Sequence, residues 1–111
     1  MRFALLAILA CSVPAFGAAP EEWAAVTQMA ADRGCLNCHG EPPRRSAPSL
    51  RGIAAEYAQH RGRLDAATEQ KLVDRLRGGS LFSHVAAHER LGDEDARSFV
   101  RWLVEGGPDA R

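Results

Sequence analysis

Two cysteines and a histidine form the most chemically specific pattern in this chain of 111 residues. Cys35 and Cys38 are separated by two residues, and His39 follows directly. This C-x-x-C-H pattern is the attachment signature of haem c. Each cysteine sulfur can add to one vinyl group on a haem edge, while an imidazole nitrogen of His39 binds the iron from one face. The pattern therefore predicts one haem, covalently bound through both cysteines.

Three other kinds of site also use closely spaced cysteines: half of a zinc site, a thioredoxin-like dithiol and a structural disulfide. A zinc site of this kind needs a second pair of ligands, and a thioredoxin-like dithiol accompanies a βαβ pattern. The chain shows neither feature. Haem attachment is therefore the favoured interpretation of these three residues.

Composition limits both the size of the fold and its partners. With 46% hydrophobic and 25% charged residues, the chain has room for one compact domain. Its 14 basic and 14 acidic residues balance, so no charge pattern indicates binding to nucleic acid or to an anionic membrane. A core of this size is marginal by itself, and a buried haem would enlarge it. We therefore expect the protein without haem to be poorly folded.

Residues 1–17 have the features of an export signal, with a positively charged start, a short apolar stretch and small residues ahead of Ala18. The apolar stretch is too short to span a bilayer. Cys11 leaves an alternative open, because the residues before it resemble a degenerate lipoprotein signal, and this cysteine would then carry a lipid anchor. Both alternatives predict export to the periplasm, with the haem domain at residues 18–111.

Hydrophobic spacing after the signal predicts an all-α fold of about four helices and no strands. Asp65 and Ser49 are expected to be helix N-caps, and residues 41–49, which hold three prolines, are expected to form an extended loop. The predicted helices are Glu21–Arg33, Leu50–His60, Asp65–Arg77 and a last helix from Gly92–Asp95 to the glycines before Pro108.

The loop at residues 41–49 has a possible role beside His39. If it passes the outer edge of the imidazole, the Ala47-Pro48 segment can offer a backbone carbonyl to the second ring nitrogen, which fixes the ring and raises its basicity. The alternative, a loop that only turns the chain, remains open. His60, near the end of the second predicted helix, is expected to be exposed to solvent.

Taken together, these residues resemble the class I c-type cytochromes, in particular the short bacterial monohaem type. The resemblance implies a cytochrome c-like fold in which the first and last helices cross beside one haem. It also implies that Pro48 supplies the carbonyl to His39 and that Arg75 lies near a haem propionate. The segments that carry the resemblance are Cys35-Leu36-Asn37-Cys38-His39, Ala47-Pro48-Ser49-Leu50, Ile53-Ala54-Ala55-Glu56-Tyr57-Ala58, Leu76-Arg77-Gly78-Gly79-Ser80, Leu91-Gly92-Asp93-Glu94-Asp95-Ala96 and Val100-Arg101-Trp102-Leu103.

The chain departs from this family at the second axial ligand. Members normally carry a methionine in the loop before the last helix, whereas this chain has only Met1, in the signal, and Met29, on the first predicted helix. Two histidines occupy that loop instead. Counting back from the last helix favours His84 as the ligand, and counting forward from the third helix favours His88. We expect His84, with His88 as the alternative; that neither binds the iron also remains open.

Two imidazole ligands would leave the iron six-coordinate and would lower its potential relative to histidine–methionine ligation. The sequence therefore predicts a periplasmic electron carrier rather than an enzyme. Its partners would be redox proteins that dock through small transient interfaces, with the chain acting as a monomer or as a subunit of a redox complex. The alternative function is haem-based binding of gases or weak peroxidase activity, with an open or labile sixth position.

Overall fold

The computed structural model describes residues 20–78 and 84–111. All regular structure in these residues is helical, which confirms the predicted all-α class. Two 3₁₀ turns, Ala58–His60 and Gly107–Asp109, accompany the α-helices. In chain order the α-helices are α1 (Pro20–Asp32), α2 (Leu36–His39), α3 (Leu50–Tyr57), α4 (Ala66–Gly78), α5 (Ala86–Glu89) and α6 (Asp93–Val104).

Some predictions fall on parts of the chain outside the described residues. These are the export signal at residues 1–17, the lipid anchor at Cys11, and residues 79–83 in the loop before the last helix. Within residues 20–78 and 84–111, no helix combines the length and the apolar character that crossing a membrane requires.

Helices α3 and α4 begin where their predicted capping residues lie. The Thr68 amide donates a hydrogen bond to Asp65 Oδ1 at 2.7 Å, and the Gly52 amide donates one to Ser49 Oγ at 3.0 Å. Both side chains satisfy a backbone donor that the first helical turn leaves without an internal partner. Asp65 and Ser49 are therefore confirmed as the N-caps of α4 and α3.

The second predicted helix differs from the structure near its end. The α-helix stops at Tyr57 and the chain continues as the 3₁₀ turn Ala58–His60, which packs more tightly per residue. This turn brings the His60 ring against Tyr57, with ring centroids 6.5 Å apart and an edge-on angle of 65°. The prediction that His60 is exposed to solvent is therefore wrong, because the residue is half-buried beside Tyr57.

Helix α6 lies between two hydrophobic clusters and contributes to both. One side of α6 packs with α1 and α3, and the other packs with α4. Burying a large apolar side chain contributes about 1.5–3 kcal/mol to stability. Helix α6 supplies six of the buried apolar residues, more than any other described helix. The first cluster contains Trp23, Val26, Ala30, Leu50, Ala54, Phe99, Trp102 and Leu103, and the second contains Leu72, Val73, Leu91, Ala96, Val100 and Val104.

A nearly buried carboxylate also joins α4 to α6. Glu69 is only 8% exposed and accepts hydrogen bonds from Arg97 Nη1 at 3.0 Å and from Arg101 Nε at 2.9 Å. The hydrogen bond from Arg101 is the main cause that holds the pKa of Glu69 below its ordinary value, and Arg97 acts in the same direction. Glu69 therefore remains ionised inside the helix interface.

The turn after α6 requires a glycine at Gly107. Its φ of +59° lies in the left-handed region, and a Cβ atom there would lie 3.2 Å from the Ala54 Cβ and 3.5 Å from Leu103 Cδ2. Glycine thus allows both the backbone conformation and the close approach of this turn to α3.

Candidate functional site

A cavity of about 680 Å³ opens where the two hydrophobic clusters meet. This volume falls within the range of about 300–1,000 Å³ that is typical of ligand sites. Cys35, Cys38 and His39 line one wall, and residues 84–88 line the facing wall. The apolar surface between the walls comes mainly from Leu50, Ile53, Tyr57, Leu76, Phe99 and Leu103.

Helix α2 carries the cysteines and His39 into this cavity. Gly34, at φ +75°, turns the chain sharply after α1, so that α2 starts directly after Cys35. The Cys35 amide donates to the Ala30 carbonyl at 3.0 Å and the His39 amide donates to the Cys35 carbonyl at 2.9 Å, which ties the short helix to α1. The three motif residues therefore lie on a firm support although α2 has only four residues.

The second nitrogen of His39 is bonded to Pro48. His39 Nδ1 lies 2.5 Å from the Pro48 carbonyl oxygen, and because a carbonyl can only accept, Nδ1 carries the proton and donates. The other nitrogen, Nε2, is then left unprotonated with a lone pair for a metal. The loop thus does more than turn the chain.

A strained turn brings Pro48 to this position. Arg45 and Ser46 have φ values of +54° and +61°, a left-handed conformation that costs a residue with a Cβ about 1–2 kcal/mol. The turn is closed by hydrogen bonds from the Arg44 amide to the Cys38 carbonyl at 2.8 Å and from the Ala47 amide to the Arg44 carbonyl at 3.0 Å. Such strain is often found where a fold holds a functional group in place.

The imidazole that faces His39 is that of His88, on α5. The centroids of the two rings are 6.0 Å apart, and their planes differ by only 16°. His88 is half-buried, and its pKa is lowered first by this burial and second by the charge of His39. The neutral imidazole, which is the metal-binding form, is therefore favoured at His88.

The distance between the two rings matches the distance that a shared metal requires. Metal–imidazole bonds are about 2 Å long and a ring nitrogen lies about 1 Å from the ring centre, so two imidazoles on opposite sides of one metal have centres about 6 Å apart. The separation of 6.0 Å between the ring centres of His39 and His88 equals this value, so the spacing of the two rings meets the distance requirement for one shared metal atom.

His84 lines the same cavity but its ring is turned to a different partner. His84 Nδ1 lies 2.9 Å from Glu89 Oε1, and the two side chains are 66% and 47% exposed. Of the two candidates for a second axial ligand, His88 thus faces His39, and His84, which the residue count favoured, faces Glu89. Only His88 lies on α5, a helix that the sequence did not predict, whereas His84 precedes the N-cap residue Val85.

The environment of the cysteines bears on the other interpretations of the motif. Both thiols are free, and Cys35 is half-buried against the first hydrophobic cluster. Burial raises the pKa of Cys35, whereas a reactive dithiol needs a lowered pKa. Across the two described stretches, no group of three or more histidine, cysteine or acidic residues is placed to hold a metal ion by itself. A zinc site or a redox-active dithiol therefore has little support in this geometry.

Two other residues singled out in the sequence, Arg75 and Met29, lie at different distances from the cavity. Arg75 lines the cavity with an exposed side chain, 3.8 Å from the Glu56 carboxylate. Met29 packs against the first hydrophobic cluster, with no part in the cavity lining. Arg75 is therefore available at the cavity, whereas Met29 belongs to the packing around the first cluster.

Three residues that line the cavity, Tyr57, Leu76 and Phe99, were not predicted as parts of the site. Tyr57 and Leu76 pack against both clusters and line the cavity, and burial raises the pKa of the Tyr57 hydroxyl. In the sequence these residues have the spacing of ordinary core positions, so nothing distinguishes them from residues that only fill the core.

Comparisons with known proteins add no further constraint. No protein-family model matches the chain, and searches of curated proteins and of solved structures returned no significant match. The sequence motif and the geometry of the cavity are therefore the observations that bear on function.

Proposed function

We propose that this protein is an exported c-type cytochrome that carries electrons, with one haem between His39 and His88. The observation that supports this most strongly is the pair of nearly parallel imidazoles, 6.0 Å apart, in a cavity that also exposes both cysteines of the C-x-x-C-H motif. A haem supplies the equatorial ligands that the described side chains do not provide, so that only two protein ligands are needed.

In this proposal each residue of the first wall has a separate task. Cys35 and Cys38 hold the haem through thioether bonds, and His39 is the proximal ligand. The Pro48 carbonyl keeps the proton of His39 on Nδ1 and restrains rotation of the ring. When bound, the haem iron supplies one-electron transfer between its ferrous and ferric states.

Residues 84–88, on the wall that faces His39, determine whether the sixth position of the iron would be closed or open. His88 as the distal ligand closes the sixth position, which favours electron transfer over the binding of gases or peroxide. Leu76, Phe99 and Leu103 line the cavity and make part of its surface apolar. Imidazole in place of a thioether also lowers the potential. A potentiometric titration should therefore give a value below that of histidine–methionine cytochromes, and a value typical of those proteins would contradict His88 ligation.

The proposal extends to location and partners. Export through residues 1–17, with lipidation at Cys11 as the alternative, would deliver the chain to the compartment in which haem c is attached. Arg75 is free to move from Glu56 toward a haem propionate, because the ion pair at 3.8 Å is exposed and such pairs contribute only about 0–1 kcal/mol. Donor and acceptor proteins would dock transiently at the open side of the cavity.

Covalent attachment is tested by expressing the full chain in a bacterium with a haem c maturation system. The wild-type protein should keep its haem through denaturing electrophoresis, detected by the peroxidase stain of the gel band. The Cys35→Ala, Cys38→Ala double variant should lose the stain. The Ser98→Ala variant, at a half-buried position outside the cavity lining, serves as a control that leaves both thiols intact. Absence of haem from the wild-type band would overturn the proposal.

A further inference from the structure

We infer that the hydrogen bond between His84 and Glu89 acts as a clasp that holds α5 in the orientation in which His88 faces His39. Both residues are then positioning residues for the distal ligand. The inference rests on the proposed function, because the orientation of His88 matters for chemistry only if His88 binds the iron.

The first reason is that α5 is too short to be stable by itself. It has four residues, and its N-cap residue, Val85, makes no side-chain capping bond. The amides of His88 and Glu89 donate to the Val85 carbonyl at 3.0 and 3.1 Å, so the helix amounts to one closed turn. Forming the first helical turn costs conformational entropy, and a helix recovers this cost only by adding further turns. Helix α5 has no further turn, so contacts outside its own backbone must stabilise it.

The second reason is where those contacts lie. On the C-terminal side, Leu91 is buried in the second cluster, and Arg77 Nε donates to its carbonyl at 2.9 Å. These contacts fix the chain just after α5 to α4. On the N-terminal side, the His84–Glu89 bond of 2.9 Å joins the residue before the N-cap to the last residue of α5. The bond therefore spans the whole turn and resists its unwinding.

The third reason is that Glu89 bonds to His84 and leaves the His88 ring free to face His39. Glu89 is the neighbour of His88 in the chain, yet its carboxylate is directed to His84, and His88 is packed opposite His39. An exposed pair of this type shifts a local equilibrium only modestly. Its loss should therefore raise the fraction of molecules in which His88 has left the iron by about two- to fivefold, without unfolding the protein.

The experiment measures carbon monoxide binding to the ferrous holoprotein by stopped-flow absorbance, since at saturating carbon monoxide the rate is limited by the departure of His88. The variants are His84→Ala, Glu89→Ala and His84→Asn. Asparagine keeps an N–H donor near the position of Nδ1 but has no nitrogen that can bind iron. The His84→Asn variant therefore distinguishes a positioning role of His84 from iron binding by His84. Asp109→Asn is the matched control, because it breaks an exposed ion pair of 3.1 Å with Arg51 outside the cavity.

If the clasp exists, His84→Ala and Glu89→Ala should each accelerate carbon monoxide binding about two- to fivefold. His84→Asn should bind carbon monoxide at nearly the wild-type rate. The thermal unfolding midpoints of these three variants should match that of Asp109→Asn. Wild-type rates in both alanine variants would overturn the inference while leaving the haem protein intact. Loss of the low-spin spectrum in both His84→Ala and His84→Asn would overturn it as well, since His84 would then be the ligand. Wild-type protein without covalent haem would overturn the proposed function, and the inference with it.

Discussion

The two ring nitrogens of His39 have different surroundings. Nδ1 donates to the Pro48 carbonyl, which leaves Nε2 as the lone-pair nitrogen. This hydrogen bond does not depend on the identity of another side chain, because its acceptor is a backbone carbonyl. The C-x-x-C-H motif and its loop could therefore be predicted from the sequence, and the structure brings Pro48 to the expected ring.

Glu69 should make the stability of the protein depend on pH. Its pKa is lower in the folded protein, mainly because of the bond from Arg101, so the unfolded chain binds this proton more tightly. The stabilisation is complete above the ordinary glutamate pKa and is lost as the pH falls through the lowered, folded-state value. Glu69→Gln should cost about 1–2 kcal/mol at neutral pH.

The measurement is denaturant unfolding of the haem protein at neutral and acidic pH, followed by circular dichroism. The free-energy difference between wild type and Glu69→Gln should shrink as the pH falls. Glu105→Gln, at an exposed position, is the control and should change little. A cost for Glu69→Gln that stays constant with pH would contradict a role for the ionised carboxylate.

Element length explains which helices the sequence revealed. Helices α1, α4 and α6 have 12 or 13 residues each, enough for several repeats of a 3.6-residue pattern. Helices α2 and α5 have four residues each and show no periodicity, so neither was predicted. The missed α5 matters most, because a count along the chain cannot determine which of His84 and His88 a single helical turn directs toward His39.

Gly107→Ala should destabilise the protein by about 2–3 kcal/mol, because it adds crowding against Ala54 to the cost of a left-handed φ. Gly62→Ala is the matched control, since Gly62 also has a positive φ, +75°, but nothing lies within 4 Å of its added Cβ. Gly62→Ala should cost only about 1 kcal/mol. The free energy of unfolding of each variant is measured by thermal or denaturant unfolding. If Gly107→Ala and Gly62→Ala lower it equally, the close approach of the last turn to α3 contributes nothing to stability.

Over the whole molecule, the cavity lies at the junction of the two hydrophobic clusters rather than at the edge of one. Tyr57 and Leu76 touch both clusters and the cavity, so whatever fills the cavity also joins the two halves of the core. Sequence patterns predicted the faces of the helices but not this junction, because the position of the cavity depends on how α3, α4 and α6 pack together.

Loss of the haem should therefore loosen the whole fold. A ligand that binds the folded state adds its binding free energy to stability, and an empty cavity lined by both clusters leaves a core of this size marginal. The Cys35→Ala, Cys38→Ala double variant, freed of haem, should lose most of its helical circular dichroism and its cooperative melt. A native-like spectrum and a sharp melt without haem would contradict this expectation.

The central claim is that His39 and His88 bind the haem iron from opposite faces, and the most direct measurement is the absorbance spectrum of His88→Ala and His84→Ala beside wild type. Ferric and ferrous wild type should be low-spin, without the near-infrared band of methionine ligation, and should bind carbon monoxide slowly. His88→Ala should become high-spin and bind carbon monoxide promptly, while His84→Ala stays low-spin. A His88→Ala protein that keeps the low-spin spectrum of wild type would contradict the account.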